Sequence, residues 1–90
     1  MRKRLHLIIH GHVQGVCFRA FIQQNTTKLS LKGFARNLDN GTVELIAEGE
    51  EENLKQLLQL CKKGPESAEV TTINTNWQEY KDEFKEFSIN

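Results

Sequence analysis

The sequence predicts an α+β sandwich: an antiparallel sheet of four to five strands with two helices on one face. Three observations carry that prediction. The run Leu5-His6-Leu7-Ile8-Ile9 alternates as a strand with one buried face does. Two later stretches, one beginning at Phe18 and one spanning about Glu50 to Lys63, place apolar residues at helical spacing. Between them, Asn40-Gly41 separates two strand-like runs, a strong hairpin signal.

In chain order, the odd residues Leu5, Leu7 and Ile9 are expected to face the core. After a glycine-bearing loop, Phe18, Phe21, Ile22 and Leu29 fall on one helical face, with Thr26 between them adding little. Ser30 stands where a helix ending often places glycine. Lys32 to Asn37 and Thr42 to Glu48 then flank Leu38-Asp39-Asn40-Gly41, whose Asn-Gly pair tolerates positive φ at both positions. In the second helix, Leu54, Leu57, Leu58 and Cys61 have the i, i+3, i+4, i+7 spacing of a buried stripe. Glu50, Glu51 and Glu52 favour its start, and Lys62, Lys63, Gly64 and Pro65 its end. Val70 to Trp77 alternates as a polar strand, residues 78 to 83 read as a charged turn or exposed excursion, and Phe87-Ser88-Ile89 as a short closing strand. The order β-α-β-β-α-β plus a terminal strand is that of the ferredoxin-like split βαβ arrangement, in which the first and third strands can lie adjacent at the centre.

Ninety residues are expected to form one domain, 1–90, and a chain this short buries only somewhat over ~60% of its unfolded surface. Twelve Lys and Arg balance twelve Asp and Glu, which argues against a nucleic-acid protein that relies on bulk charge. Two cysteines, Cys17 and Cys61, are too few for a disulfide scaffold and suit a reducing compartment. No apolar run approaches the ~20 residues that span a bilayer. The apolar stretch behind the basic N-terminus stops at Ile9, too soon for a signal peptide. A cytoplasmic location is expected.

The chemistry is expected between Gly11 and Arg19. A strand, a loop with two glycines and a helix N-terminus expose backbone N–H groups without intrachain partners, and the helix dipole adds partial positive charge. An arginine just inside the helix supplies a planar fork suited to phosphate oxygens. Together they read as a cradle for a phosphate-sized anion.

Gly11-His12-Val13-Gln14-Gly15-Val16-Cys17-Phe18-Arg19 also fits G-x-V-Q-G-V-x-F-R, the first signature of the acylphosphatase family. Gly33-Phe34-Ala35-Arg36-Asn37 fits its second, glycine-aromatic-small-basic-asparagine. The chain resembles that family over essentially its whole length, departing from it at Thr26 and Ser30, where a small alanine and a glycine are expected. The resemblance implies hydrolysis of the carboxyl–phosphate bond of a small acyl phosphate, without metal or cofactor. It implies that Arg19 binds the phosphate together with loop amides of Gln14, Gly15, Val16, Cys17 and Phe18, and that Asn37 holds the attacking water. Orthophosphate, the product, would compete with substrate. A monomer acting without nucleic acid or membrane is expected.

Other readings of these residues are weaker. A cysteine phosphatase spaces its cysteine and arginine by five residues, but position 23 is Gln23, which leaves Cys17 a bystander. His6 and His10 share a strand face but stand ~13 Å apart, too far to chelate one ion. Glu44, Glu48 and Glu50 to Glu52 read as solvated charges and a helix start. The same fold also serves RNA-binding modules, which stack bases on open-face aromatics, but the central strands offer no aromatic pair. A non-catalytic anion-binding module is the remaining alternative.

Overall fold

Leu5, Leu7 and Ile9 are completely buried along one side of the first strand, as the alternation of that run requires. The computed structural model describes residues 1–90. Its elements are β1 (Arg2–His12), α1 (Phe18–Lys28), β2 (Lys32–Asn37), β3 (Val43–Glu50), α2 (Glu51–Lys63), β4 (Glu69–Gln78) and β5 (Phe87–Ile89). They form one sheet in the order β4-β1-β3-β2-β5, so β1 and β3 do lie adjacent at the centre. β1 pairs antiparallel with β3 and β4, and β2 antiparallel with β3. One pair departs from the all-antiparallel expectation: β5 runs parallel to β2, with Gly33 opposite Phe87 and Ala35 opposite Ile89. The chain reverses after β4, as in a hairpin, but re-enters at the opposite edge, where that direction matches β2.

One face of the sheet carries both helices, and the apolar residues between form a single cluster. The strands supply Leu5, Leu7, Ile9, Ala35, Val43, Leu45 and Ala47, and α2 supplies Leu54, Leu57 and Cys61. Leu58 packs at the margin. Truncating one of the buried leucines to alanine would cost about 2–5 kcal/mol. In α1 the buried stripe is Phe18, Ile22 and Thr26, with Phe21 only half-buried. Thr26 is thus part of the core, contrary to expectation. Its hydroxyl donates to the Gln23 carbonyl at 3.0 Å, so no polar atom is stranded. Ser30 takes a left-handed φ of 55° just past the helix, the conformation for which glycine is usual.

The β2–β3 turn differs in detail from the expected Asn-Gly geometry. Only Gly41 takes a positive φ. The Gly41 N–H donates to the Leu38 carbonyl, and Asn40 Oδ1 accepts from the Thr42 N–H and, at 2.6 Å, from its hydroxyl. Asn40 therefore bonds the backbone two residues on, a standard asparagine role in turns. Within β2, Gly33 is required by contact: a β-carbon there would lie 1.8 Å from the carbonyl oxygen of Ile46.

The sheet's other face is covered at one end by residues 79–86, which cross from β4 to β5. This corrects the reading of Glu48 as solvated. Its side chain is 2% exposed, lies 3.5 Å from Arg4, and accepts the backbone N–H groups of Lys81 and Glu83. Arg4 also contacts Glu83, and its guanidinium lies over the Phe84 ring. Phe84 in turn packs edge-on to Phe34, with ring centroids 5.9 Å apart. No helix is long and apolar enough to cross a membrane.

Candidate active site

Between β1 and α1 the backbone curls. Gly15 has φ 73° and Cys17 has φ 61°, while Val16 between them keeps a negative φ. Alternation of this kind turns successive N–H groups toward one concave side, the geometry of an anion-binding nest. None of the N–H groups of Gln14, Gly15, Val16 or Cys17 donates to a protein acceptor. The helix beyond adds to this field: α1 has no side-chain cap and no acidic residue in its first turn, so its N-terminal partial charge is left uncompensated. Phe18 anchors the junction, 1% exposed in the core and edge-on to Phe21.

Arg19 stands half-buried in the first turn of α1, and its Nη1 donates to the main-chain oxygen of Asn90 at 2.7 Å. The Asn90 N–H donates to the Ala35 carbonyl at 2.9 Å. This chain of two bonds fixes the guanidinium against β2 and leaves most of its five donors uncommitted.

On the loop's other flank, Gln14 Nε2 donates to the carbonyls of Leu38 and Thr42 at 2.8 and 2.9 Å. Asn37 sits between these two tethers, one residue before Leu38 and two after Ala35. It is exposed at the end of β2, where it pairs with Val43. By strand alternation it shares the helix-side face with Gly33 and Ala35, both buried. The structure thus brings the loop of Gln14 to Phe18, Arg19 and Asn37 to one end of the helix-covered face. Three contributors lay outside the sequence reading: the Gln14 side chain, Asn90 and Ser67, whose hydroxyl donates to the Val16 carbonyl at 2.9 Å. All three act through main-chain oxygens, which no side-chain motif advertises.

The remaining polar candidates lie elsewhere. His6 Nε2 is 2.9 Å from Glu44 Oε2 on the open face, and Arg36 Nε donates to Glu44 Oε1 at 2.6 Å. Glu44 is therefore paired rather than solvated. Burial opposes its ionisation, but the hydrogen bonds and charges of His6 and Arg36 prevail and hold its carboxyl below the usual range. His10 sits beside Asn74. Phe34, the aromatic of β2, is taken up by Phe84 and by Arg36 over its ring, which removes it as a base-stacking platform. Cys17 is exposed and Cys61 buried, both as free thiols. Burial pushes the Cys61 thiol up to about 12.

Comparison with known proteins identifies the family. The family described as acylphosphatase matches residues 5–89. An acylphosphatase of Caldanaerobacter subterraneus is 45% identical over 89 residues, covering 99% of each chain. The crystal structure of acylphosphatase from Bacillus subtilis superposes with a TM-score of 0.94 at 36% identity, covering 100% of this chain and 99% of that one. An acylphosphatase structure from Coxiella burnetii gives a TM-score of 0.92 at 31% identity, covering 99% and 93%. With the family model matching residues 5–89 and a relative 45% identical covered almost end to end on a matching fold, the chain belongs to the acylphosphatase family.

Proposed function

We propose that residues 1–90 act as one catalytic domain that hydrolyses small acyl phosphates to carboxylate and orthophosphate. The observation that carries this reading is the loop: four consecutive N–H groups without a protein acceptor, on a backbone of alternating φ, beside the Arg19 guanidinium. In the proposed assignment, the N–H groups of Gln14, Gly15, Val16, Cys17 and Phe18 and the Arg19 fork hold the three phosphate oxygens. Asn37 holds the attacking water.

The chemistry suits these groups. A mixed anhydride expels a weakly basic carboxylate, so departure needs little acid catalysis. What remains is placing water in line and spreading the charge of the equatorial oxygens. A neutral amide orients water without being a strong base, and the substrate phosphate itself can take the proton. Orthophosphate occupies the same cradle and so inhibits competitively. Every group invoked lies on one chain, which fits a monomer. The reduced thiols fit a cytoplasmic enzyme.

The test is hydrolysis of an aromatic acyl phosphate in the presence of a chelator, with Arg19→Ala alongside. Wild type is expected to turn over and to be inhibited by orthophosphate. Arg19→Ala is expected to lose both phosphate binding and turnover, since one such donor is worth about 3 kcal/mol at a transition state. A folded wild type without hydrolysis would overturn the activity, and an active Arg19→Ala would overturn the assignment.

A further inference from the structure

Ser67 lies in the connection between α2 and β4, and its hydroxyl donates to the Val16 carbonyl at 2.9 Å. No other protein group donates to that oxygen. The carbonyl shares a planar trans peptide with the Cys17 N–H, so the two point in opposite directions. Holding the carbonyl toward Ser67 therefore aims the Cys17 N–H the other way, with the free donors of the loop.

This peptide has reason to turn over. Cys17 sits at φ 61° and ψ 24°, a left-handed conformation disfavoured for any residue with a β-carbon. A half-turn of the Val16–Cys17 peptide would carry that φ to about −120°, out of the left-handed region and, with ψ kept at 24°, to the edge of the bridge region. It would also present the Val16 oxygen where the Cys17 N–H had been. An oxygen repels phosphate where a donor binds it. The next peptide is held separately, by the Phe21 N–H on the Cys17 carbonyl.

We infer that Ser67 is a positioning residue for the phosphate loop, locking the Val16–Cys17 peptide with its N–H toward the anion and against the flip that would turn the Val16 oxygen there. The inference rests on the reading of the loop as a phosphate cradle.

The test compares the full chain with Ser67→Ala and Ser67→Thr, using orthophosphate titrations followed by calorimetry and by the Cys17 amide resonance, together with steady-state kinetics. For Ser67→Ala, loss of one neutral hydrogen bond is expected to weaken orthophosphate binding and raise KM about fivefold. Its kcat should stay within about twofold, because the lost contact serves substrate and transition state alike. The free Cys17 amide signal should move and return toward the wild-type position at saturating phosphate. Ser67→Thr, which keeps the hydroxyl, should restore the wild-type values. An unchanged phosphate affinity and Cys17 signal in Ser67→Ala would overturn the role, and so would a loss that Thr does not rescue. Failure of the wild type to bind orthophosphate would instead overturn the cradle reading itself.

Discussion

Gln14 Nε2 donates to the carbonyl of Leu38 at 2.8 Å, which ties the β1–α1 loop to the residue immediately after Asn37. The same amide reaches the Thr42 carbonyl, so one side chain staples the loop across the mouth of the β2–β3 hairpin. Both carbonyls also accept hairpin N–H groups, from Gly41 and Leu38. Removing the amide therefore strands neither of them.

Gln14→Ala is expected to cost about 1–2 kcal/mol of stability, the sum of two ordinary hydrogen bonds, as measured by urea unfolding. It is expected to lower kcat/KM further than orthophosphate affinity, because what loosens is the distance between phosphate and water. Equal losses in both would place Gln14 in the phosphate cradle alone.

The two thiols should behave differently. Cys17 is exposed, whereas burial holds Cys61 protonated up to about pH 12. A chromogenic disulfide should titrate one thiol in the native protein and the second only after denaturation. Orthophosphate should slow the first reaction, since Cys17 lies in the loop proposed to hold it, and Cys17→Ser should remain active.

Glu44 gives the fold a pH dependence of defined sign. Its pKa is held below the ordinary 4.5 in the folded chain by His6 and Arg36, against the opposing effect of burial. The stabilisation is present above pH 4.5 and is lost as pH falls through the folded value. Glu44→Gln should unfold at a lower temperature than wild type at pH 6–7, and the two should converge in acid. A constant difference across that range would contradict the pairing.

Glu48→Ala is expected to destabilise the protein by about 3 kcal/mol, because it leaves Arg4 in a buried site without its strand partner and releases the N–H groups of Lys81 and Glu83. Urea unfolding measures it, and a change below about 0.5 kcal/mol, the range of ordinary surface substitutions, would return Glu48 to the solvated class.

These residues also show what was legible in the sequence. β1 and α2 were readable because their buried stripes follow local periods, two for Leu5, Leu7 and Ile9, and 3.6 for Leu54, Leu57 and Cys61. The loop stood out as a candidate by its two glycines and the arginine that follows, whereas Asn37 entered only through the resemblance of the run Gly33 to Asn37 to the second acylphosphatase signature. Glu48 was not, since its burial depends on where residues 79–86 cross, and that crossing is set by the distant pairing of β5 with β2. Thr26 was misjudged because a back-bonded hydroxyl lets a polar residue into the core. Gln14 looked like one more loop amide, and only the folded hairpin supplies the carbonyls that its side chain binds.

The division of labour between the loop and Asn37 is tested most directly by measuring turnover and orthophosphate affinity on the same preparation of Asn37→Ala. Turnover should fall by about a hundredfold or more, the scale of losing one positioned catalytic group, while orthophosphate affinity stays within about threefold of wild type. Near-normal turnover, or a parallel loss of phosphate binding, would contradict the assignment of the water to Asn37.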